Sequence, residues 1–192
     1  RDELLQIAAT VEKVSEHPLG QSIVKKAEEE LLMLGEPESF RAIPGKGLKA
    51  QLDGKEVYIG NRKLMKEAQV PTEIGEEKLL ELEEEGKTAM LVSINGVLSG
   101  IIAVADQIKE NSKQAIKELK NMGLEIYMIT GDNERTAKAI ANEIGIENVL
   151  AEVLPENKAE VVEKIKKEGK HVGMVGDGIN AAPALAAAEV GF

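Results

Sequence analysis

Apolar residues open the chain at helical spacing: Leu4, Leu5, Ile7, Ala8 and Val11 share one face of a 3.6-residue period. Ser15-Glu16-His17-Pro18-Leu19-Gly20 follows, with Pro18 where the first turn of a second helix tolerates a missing N–H. That helix would carry Ile23, Val24, Ala27, Leu31 and Leu32 and end near Gly35. The period then changes to two. Leu48, Ala50 and Leu52 alternate up to Asp53-Gly54, and Val57 and Ile59 alternate beyond it, which predicts a hairpin closed by a two-residue turn. A charged helix around 76–85 and strands around 89–92 and 97–103 complete this half.

From about residue 96 strand and helix signals alternate. Strands are predicted over 101–105, 124–129, 148–151 and 171–175, and helices over 111–122, 134–144, 157–168 and 180–187. A βαβ rhythm implies a doubly wound parallel sheet. The expected class is therefore α/β, with an α+β domain on an antiparallel sheet over 1–95 and a parallel-sheet domain over 96–192. Ligands of such parallel sheets bind at the carboxyl ends of the strands. Two polar, glycine-containing loops fall there: Thr130-Gly131-Asp132-Asn133 and Gly176-Asp177-Gly178-Ile179-Asn180.

Composition narrows the partners. Against 24 Lys+Arg stand 34 Asp+Glu, a formal net charge of −10. So acidic a surface repels phosphate backbones and anionic lipid, which argues against nucleic acid as a partner. Aromatics are 2% of the chain, so the cores are aliphatic and base-stacking platforms are not expected. With no cysteine, disulfides and thiolate metal sites are excluded within this stretch. No run reaches the ~20 apolar residues of a membrane helix. No membrane insertion is expected of this segment, and any spanning part would lie outside it.

Two look-alike motifs fail on context. Gly45-Lys46-Gly47-Leu48-Lys49-Ala50 matches a dinucleotide fingerprint, but Pro44 precedes it and an alternating strand, not a helix, follows. A glycine turn ahead of a hairpin is the plainer reading, with bare backbone open to a flat ligand as its functional variant. Gly86-Lys87-Thr88 ends like a P-loop, yet Glu81 stands where that loop needs its first glycine.

Ser15-Glu16-His17-Pro18-Leu19, Pro44-Gly45-Lys46-Gly47, Gly60-Asn61, Thr130-Gly131-Asp132-Asn133, Leu154-Pro155-Glu156-Asn157-Lys158 and Gly176-Asp177-Gly178-Ile179-Asn180 occur in this order across almost the whole chain. With these motifs the sequence resembles the heavy-metal (type IB) branch of the P-type ATPases. The resemblance implies a nucleotide-binding domain over 1–95, set into a phosphorylation domain of haloacid-dehalogenase type. It implies ATP and Mg²⁺ as cofactors, and the transmembrane and actuator domains of one full-length membrane pump as partners, with this part in the cytoplasm. Adenine and ribose contacts would fall to Glu12, His17, Gly45, Gly47, Leu48, Gly60 and Asn61. The plain alternatives are a helix-start residue for His17 and a surface charge for Glu12. In the second half Thr130 and Gly131 would hold the transferring phosphoryl group, and Asp132 would orient nucleotide and Mg²⁺. Lys158 would neutralise developing charge, Asp177 would ligate Mg²⁺, and Asn180 would hold its loop or contact phosphate. The plain alternatives there are an exposed helix-start lysine and two turn aspartates.

The sequence departs from the family pattern twice. The catalytic aspartate of an Asp-Lys-Thr-Gly-Thr loop occurs nowhere in it, and that loop and its strand would be expected before residue 1. The hinge pattern ends in Asp where this chain has Ala181, which reads as an inactivating substitution. The expectation is a chain that binds nucleotide without forming an aspartyl-phosphate. The 15–20 segment, and Ala151-Glu152-Val153-Leu154-Pro155 ahead of Lys158, look more like copper(I) exporters than the zinc/cadmium group. Zinc or cadmium transport, a phosphatase of haloacid-dehalogenase class and a nucleotide-sensing module are the alternatives.

Overall fold

The computed structural model describes residues 1–15, 17–105, 108–176 and 181–192. They form two compact units, Arg1–Gln107 and Ile108–Phe192.

In the first unit, helices α1 (Asp2–Glu12) and α2 (Pro18–Glu29) precede strands β1 (Ser39–Ile43), β2 (Gly47–Leu52) and β3 (Lys55–Gly60). Helices α3 (Arg62–Glu67) and α4 (Glu73–Glu84) and strands β4 (Thr88–Ile94) and β5 (Val97–Val104) follow. The strands make one antiparallel sheet in the order β1-β2-β3-β4-β5. Alternation along the strands assigns its two faces. Leu48, Ala50, Val57, Ile59, Met90 and Val92 pack with Ala8, Val11, Ile23 and Ala27 of α1 and α2. On the other face Tyr58, Ala89 and Leu91 pack with Met65 and Val70 near α3 and Leu79 of α4. The predicted hairpin forms as Leu52↔Lys55, and Asp53 and Gly54 take φ of 50° and 67°, the paired positive values of a type I′ turn.

A second turn of this kind, Asn95-Gly96 (φ 49° and 77°), corrects the expected division at 95/96. A two-residue turn obliges β5 to pair antiparallel with β4, as Leu91↔Ile101 and Ala89↔Ala103. The strands expected at 97–103, completing the first half, and at 101–105, opening the second, are one strand, β5, which closes the first unit, and the two units divide at 107/108.

The second unit runs α5 (Ser112–Asn121), β6 (Tyr127–Ile129), α6 (Glu134–Ile144), β7 (Asn148–Leu150), a 3-10 turn (Pro155–Asn157), α7 (Lys158–Lys167), β8 (Gly173–Met174), α8 (Ala182–Ala187) and β9 (Val190–Gly191). Strand β6 pairs parallel with β7, and β8 parallel with β9. Among the described residues these are two separate parallel pairs, with strands shorter than the pattern predicts. Ala137, Ala141, Val162, Ile165 and Ala184 form the buried aliphatic side of the helices.

Candidate functional site

Glu12, the last residue of α1, is not a surface charge: it is 6% exposed. Gly20 in the first turn of α2 makes its room, since a Cβ built there would lie 2.3 Å from Glu12 Oε2. Burial pushes the Glu12 carboxyl above the usual carboxylate range, and a hydrogen bond with Ser15 partly offsets this. Ser15 in turn receives the His17 N–H on its Oγ at 3.2 Å. His17 is the N-cap of α2, its Nδ1 accepting from the Leu19 N–H at 3.3 Å. The imidazole is exposed, so its face and its Nε2 stay open, and the His17 backbone reaches Glu12 through Ser15. His17 is thus both the helix-start residue and a free planar surface.

A second corner lies where β2 begins and β3 ends. Gly47 and Gly60 are partners in the ladder. Gly47 has φ +138°, and a Cβ there would lie 2.1 Å from the Ile59 carbonyl oxygen. A Cβ on Gly60 would lie 2.1 Å from the Lys46 oxygen and 2.7 Å from Leu64 Cδ2. The missing side chains thus make room first for the opposing backbone, a constraint that motif spacing does not reveal. Asn61 fastens the corner. Its backbone N–H donates to the Lys46 oxygen at 2.9 Å and its Nδ2 to the Gly45 oxygen at 2.9 Å, while Oδ1 caps α3 through the Leu64 N–H at 3.1 Å. Gly45, at φ +68°, is exposed on the turn. Lys46 Nζ meets Glu67 Oε1 at 2.7 Å. Leu48 is 3% exposed, its side chain committed to the core with Val11 and Ile59. That cluster joins the corners, since Val11 adjoins Glu12, Leu48 adjoins Gly47, Ile59 adjoins Gly60, and Leu19 packs on it from α2.

A planar ligand fits such a place: an exposed imidazole face, a carboxylate acceptor, and a glycine turn with no side chain on Gly45. The site is an open corner. Two concavities of the unit, about 270 Å³ beside Thr10 and Asp53 and about 530 Å³ beside Ile74 and Leu98, contain none of these residues.

In the second unit Thr130 leaves β6 with its N–H on the Leu150 oxygen (3.0 Å) and its oxygen accepting from Val153 N–H (3.0 Å). Thr130 Oγ1 donates to Asp132 Oδ2 at 2.7 Å and accepts the Asp132 N–H at 3.1 Å. Asn133 caps α6 through the N–H groups of Arg135 (3.0 Å) and Thr136 (3.1 Å). Gly131 is exposed and a Cβ there would meet only the Val153 oxygen, at 3.6 Å. The fold does not demand glycine at this position, which leaves bare backbone for a close ligand. The Glu152 N–H donates to the Asp132 oxygen at 2.8 Å, so the loop is tied to the segment that leads to Lys158, the half-buried first residue of α7. Asp177 and Asn180 lie outside the described residues. Ala181 is 8% exposed, and a Cβ on Gly176 would lie 2.5 Å from its Cβ. No cluster of three or more His, Cys, Asp or Glu side chains poised for a metal occurs among the described residues. Asp132 supplies one hard oxygen donor of the type Mg²⁺ takes, alongside phosphate and water.

A profile of the haloacid dehalogenase-like hydrolases matches residues 2–189. The copper-exporting P-type ATPase of Staphylococcus aureus strain MRSA252 is 50% identical over 193 aligned positions, and that of strain Newman 49%. The chain spans about a quarter (24%) of the length of these curated relatives, which cover 100% of it. Among solved structures, a zinc-transporting PIB-type ATPase in its E2.Pi state is 40% identical, with a TM-score of 0.61 over 99% of this chain and 30% of its own. The catalytic domain of the CPx-ATPase CopB-B, studied for conformational changes upon nucleotide binding, is 30% identical. It has a TM-score of 0.70 over 100% of this chain and 67% of its own.

Proposed function

The chain belongs to the haloacid dehalogenase-like hydrolases, in their heavy-metal P-type ATPase branch, and we propose that it is the ATP-handling cytoplasmic part of a copper(I)-exporting pump. The observation that carries this reading is the Glu12 corner: a carboxyl 6% exposed, given space by a glycine and linked through Ser15 to His17, whose imidazole is exposed. Among the described residues Glu12 has Ser15 and no cation as its partner, a buried carboxylate so placed costs stability, and a ligand's amine would compensate it.

In this reading the first unit is the nucleotide-binding domain. Glu12 accepts from the exocyclic amine of adenine, and His17 stacks on the purine. The Gly45–Gly47 turn, held by Asn61 against Gly60, lets the nucleotide lie on backbone. Leu48 contributes as the core residue beneath that turn. The second unit is the phosphorylation domain. The Gly131 N–H donates to the phosphoryl oxygens, and Thr130 Oγ1 joins it by turning its single proton from Asp132 Oδ2 to them, still accepting the Asp132 N–H. Asp132, oriented by Thr130, and Asp177 hold Mg²⁺. Mg²⁺ when bound supplies positive charge to the phosphate oxygens, and Lys158 adds its ammonium to the same task. Asn180 holds the loop that carries Asp177.

The partners are ATP and the transmembrane and actuator domains of the same pump. The share of each relative that this chain spans supports that, and no helix among the described residues is long and apolar enough to cross a membrane. Copper is favoured by 50% identity to copper exporters along the whole chain. The 40% identity to a zinc-transporting ATPase makes zinc the second reading.

An ATP titration followed by amide shifts, with and without Mg²⁺, tests the proposal. Shifts at Glu12, His17, Gly45–Leu48 and Gly60–Asn61 that persist without Mg²⁺ are expected. Shifts confined to the loops at 130, 158 and 177, or no binding, would overturn it in favour of a phosphatase-like protein.

A further inference from the structure

Helix α3 has six residues, too few to be stable by itself, and it starts at the residue after Asn61. Its first residue, Arg62, turns its guanidinium toward α4. Nε donates to Glu76 Oε1 and Oε2 at 3.0 and 3.1 Å, and Nη2 to Glu76 Oε1 at 2.8 Å. Nη2 also reaches Glu83 Oε2 at 3.1 Å, and Nη1 donates to Glu83 Oε1. Glu83 is 1% exposed, one helical turn from the buried Leu79. Burial alone would lower the Arg62 pKa, yet its hydrogen bonds to Glu83 and Glu76 raise it, so the guanidinium is a permanent cation.

Stability is a poor account of these charges, because Arg62 and Glu76 are 32% and 38% exposed, where ion pairs contribute little, and apolar residues commonly replace a buried partner such as Glu83 without loss. The pair supplies orientation instead. A planar fork held by two carboxylates of one helix fixes the rotation of α3 about its axis. That rotation sets Asn61, which caps the same turn and holds the Gly45 and Lys46 oxygens at 2.9 Å each. A continuous chain of bonds thus runs from α4 through Arg62 and Asn61 to the glycine turn.

We propose that Arg62, Glu76 and Glu83 are positioning residues for the nucleotide corner, acting through Asn61 on the Gly45–Gly47 turn. The inference deepens the functional reading above and rests on it for the ligand, but not for the clamp itself.

The test uses the 192-residue chain, with an Arg62→Met/Glu83→Leu double variant and a separate Arg62→Lys variant. The double variant is expected to melt at or above the wild-type temperature while ATP affinity falls about tenfold. A purely structural pair would not give that divergence. Without ATP, its Asn61 side-chain amide and Gly45–Gly47 backbone signals should move, while those of Ser15 and Gly20 stay. Arg62→Lys keeps the charge beside Glu83 but loses the fork, so it should weaken ATP binding with little change in melting, and it decides the matter if the double variant does not fold. Wild-type ATP affinity in either folded variant, or unmoved Asn61 and Gly45–Gly47 signals, would overturn the clamp. Absence of ATP binding by the wild-type chain would instead overturn the functional reading, leaving the ATP-free signals to judge the clamp.

Discussion

Gly60→Ala isolates the close approach on which the nucleotide corner is built. The added Cβ would lie 2.1 Å from the Lys46 oxygen, 2.7 Å from Leu64 Cδ2 and 3.0 Å from the Gly47 Cα. An ordinary carbon–oxygen contact is roughly 3.3 Å, so β2 and β3 must part by about 1 Å at this point. Leu64 can rotate away, but the Lys46 carbonyl, in the turn next to the Gly47–Gly60 pair and bonded to the Asn61 N–H, cannot. Overpacking of this type costs about 1–3 kcal/mol, and the backbone contact argues for about 3. In a domain of this size each kcal/mol lowers Tm by about 4–8 °C, which gives a fall of roughly 12 °C or more. Gly54→Ala is the comparison. Its φ is +67° with nothing within 4 Å, so it suffers only the left-handed backbone penalty, about 1–2 kcal/mol. Thermal unfolding read from the amide signals of β2–β5, with an ATP titration on each variant, makes the measurement. Gly60→Ala should melt below Gly54→Ala and lose ATP affinity at least about tenfold, because parting the strands pulls Lys46 from the Asn61 N–H. If Gly60→Ala melts with Gly54→Ala and binds ATP like the wild type, the crossing of backbones is not what requires glycine.

Three further outcomes follow from the same structure. Ser93 is 0% exposed and its Oγ has no hydrogen-bond partner, so Ser93→Ala should raise stability by about 1 kcal/mol; a lower Tm on thermal melting would contradict this. Burial holds the Glu12 pKa above its unfolded value, so the stability it contributes is full below the ordinary carboxylate range and is lost as pH rises through the folded pKa. Glu12→Gln should therefore raise Tm at pH 7 relative to pH 4 while weakening ATP binding; equal Tm changes at both pH values would refute the sign. No Asp-Lys-Thr-Gly-Thr loop occurs in the sequence, so incubation with labelled Mg²⁺-ATP should yield no acid-stable phosphoenzyme. A labelled aspartyl adduct from this chain would show that account to be wrong.

What the sequence made legible was what a local period can encode. Helices α1 and α2 follow from apolar spacing, α6 from its own period, and the β2–β3 hairpin from Asp53-Gly54 between alternating runs. Asn95-Gly96 carries the same signal between the strands expected at 89–92 and 97–103, but the 101–105 run also reads as the start of the parallel domain, which sets the division too early. Strand β1 pairs only with β2 and buries little, so it has no alternation to detect. Helix α3 is too short to display a period. The strands of the second unit span two or three residues each, so their boundaries came out too long.

The candidate site divides along the same line. Residue identities could be read from motifs, but the job of each residue could not. The resemblance implies that Gly47 and Gly60 contact a ligand; the structure adds that a Cβ on either would meet the opposing backbone. Pro44-Gly45-Lys46-Gly47 and Gly60-Asn61 are therefore one feature: a strand crossing that needs two glycines, with the asparagine that ties it. Gly20 closes a motif segment in the sequence, but nothing there shows that it gives Glu12 its place. Arg62 and Glu83 stand 21 residues apart in a chain rich in both charges, and only the third dimension distinguishes their pairing from an ordinary surface contact. The residues that touch a ligand are chosen by its chemistry and recur as motifs. Those that hold them in place need only meet in space, which is why Arg62 and Glu83 leave so little trace in the sequence.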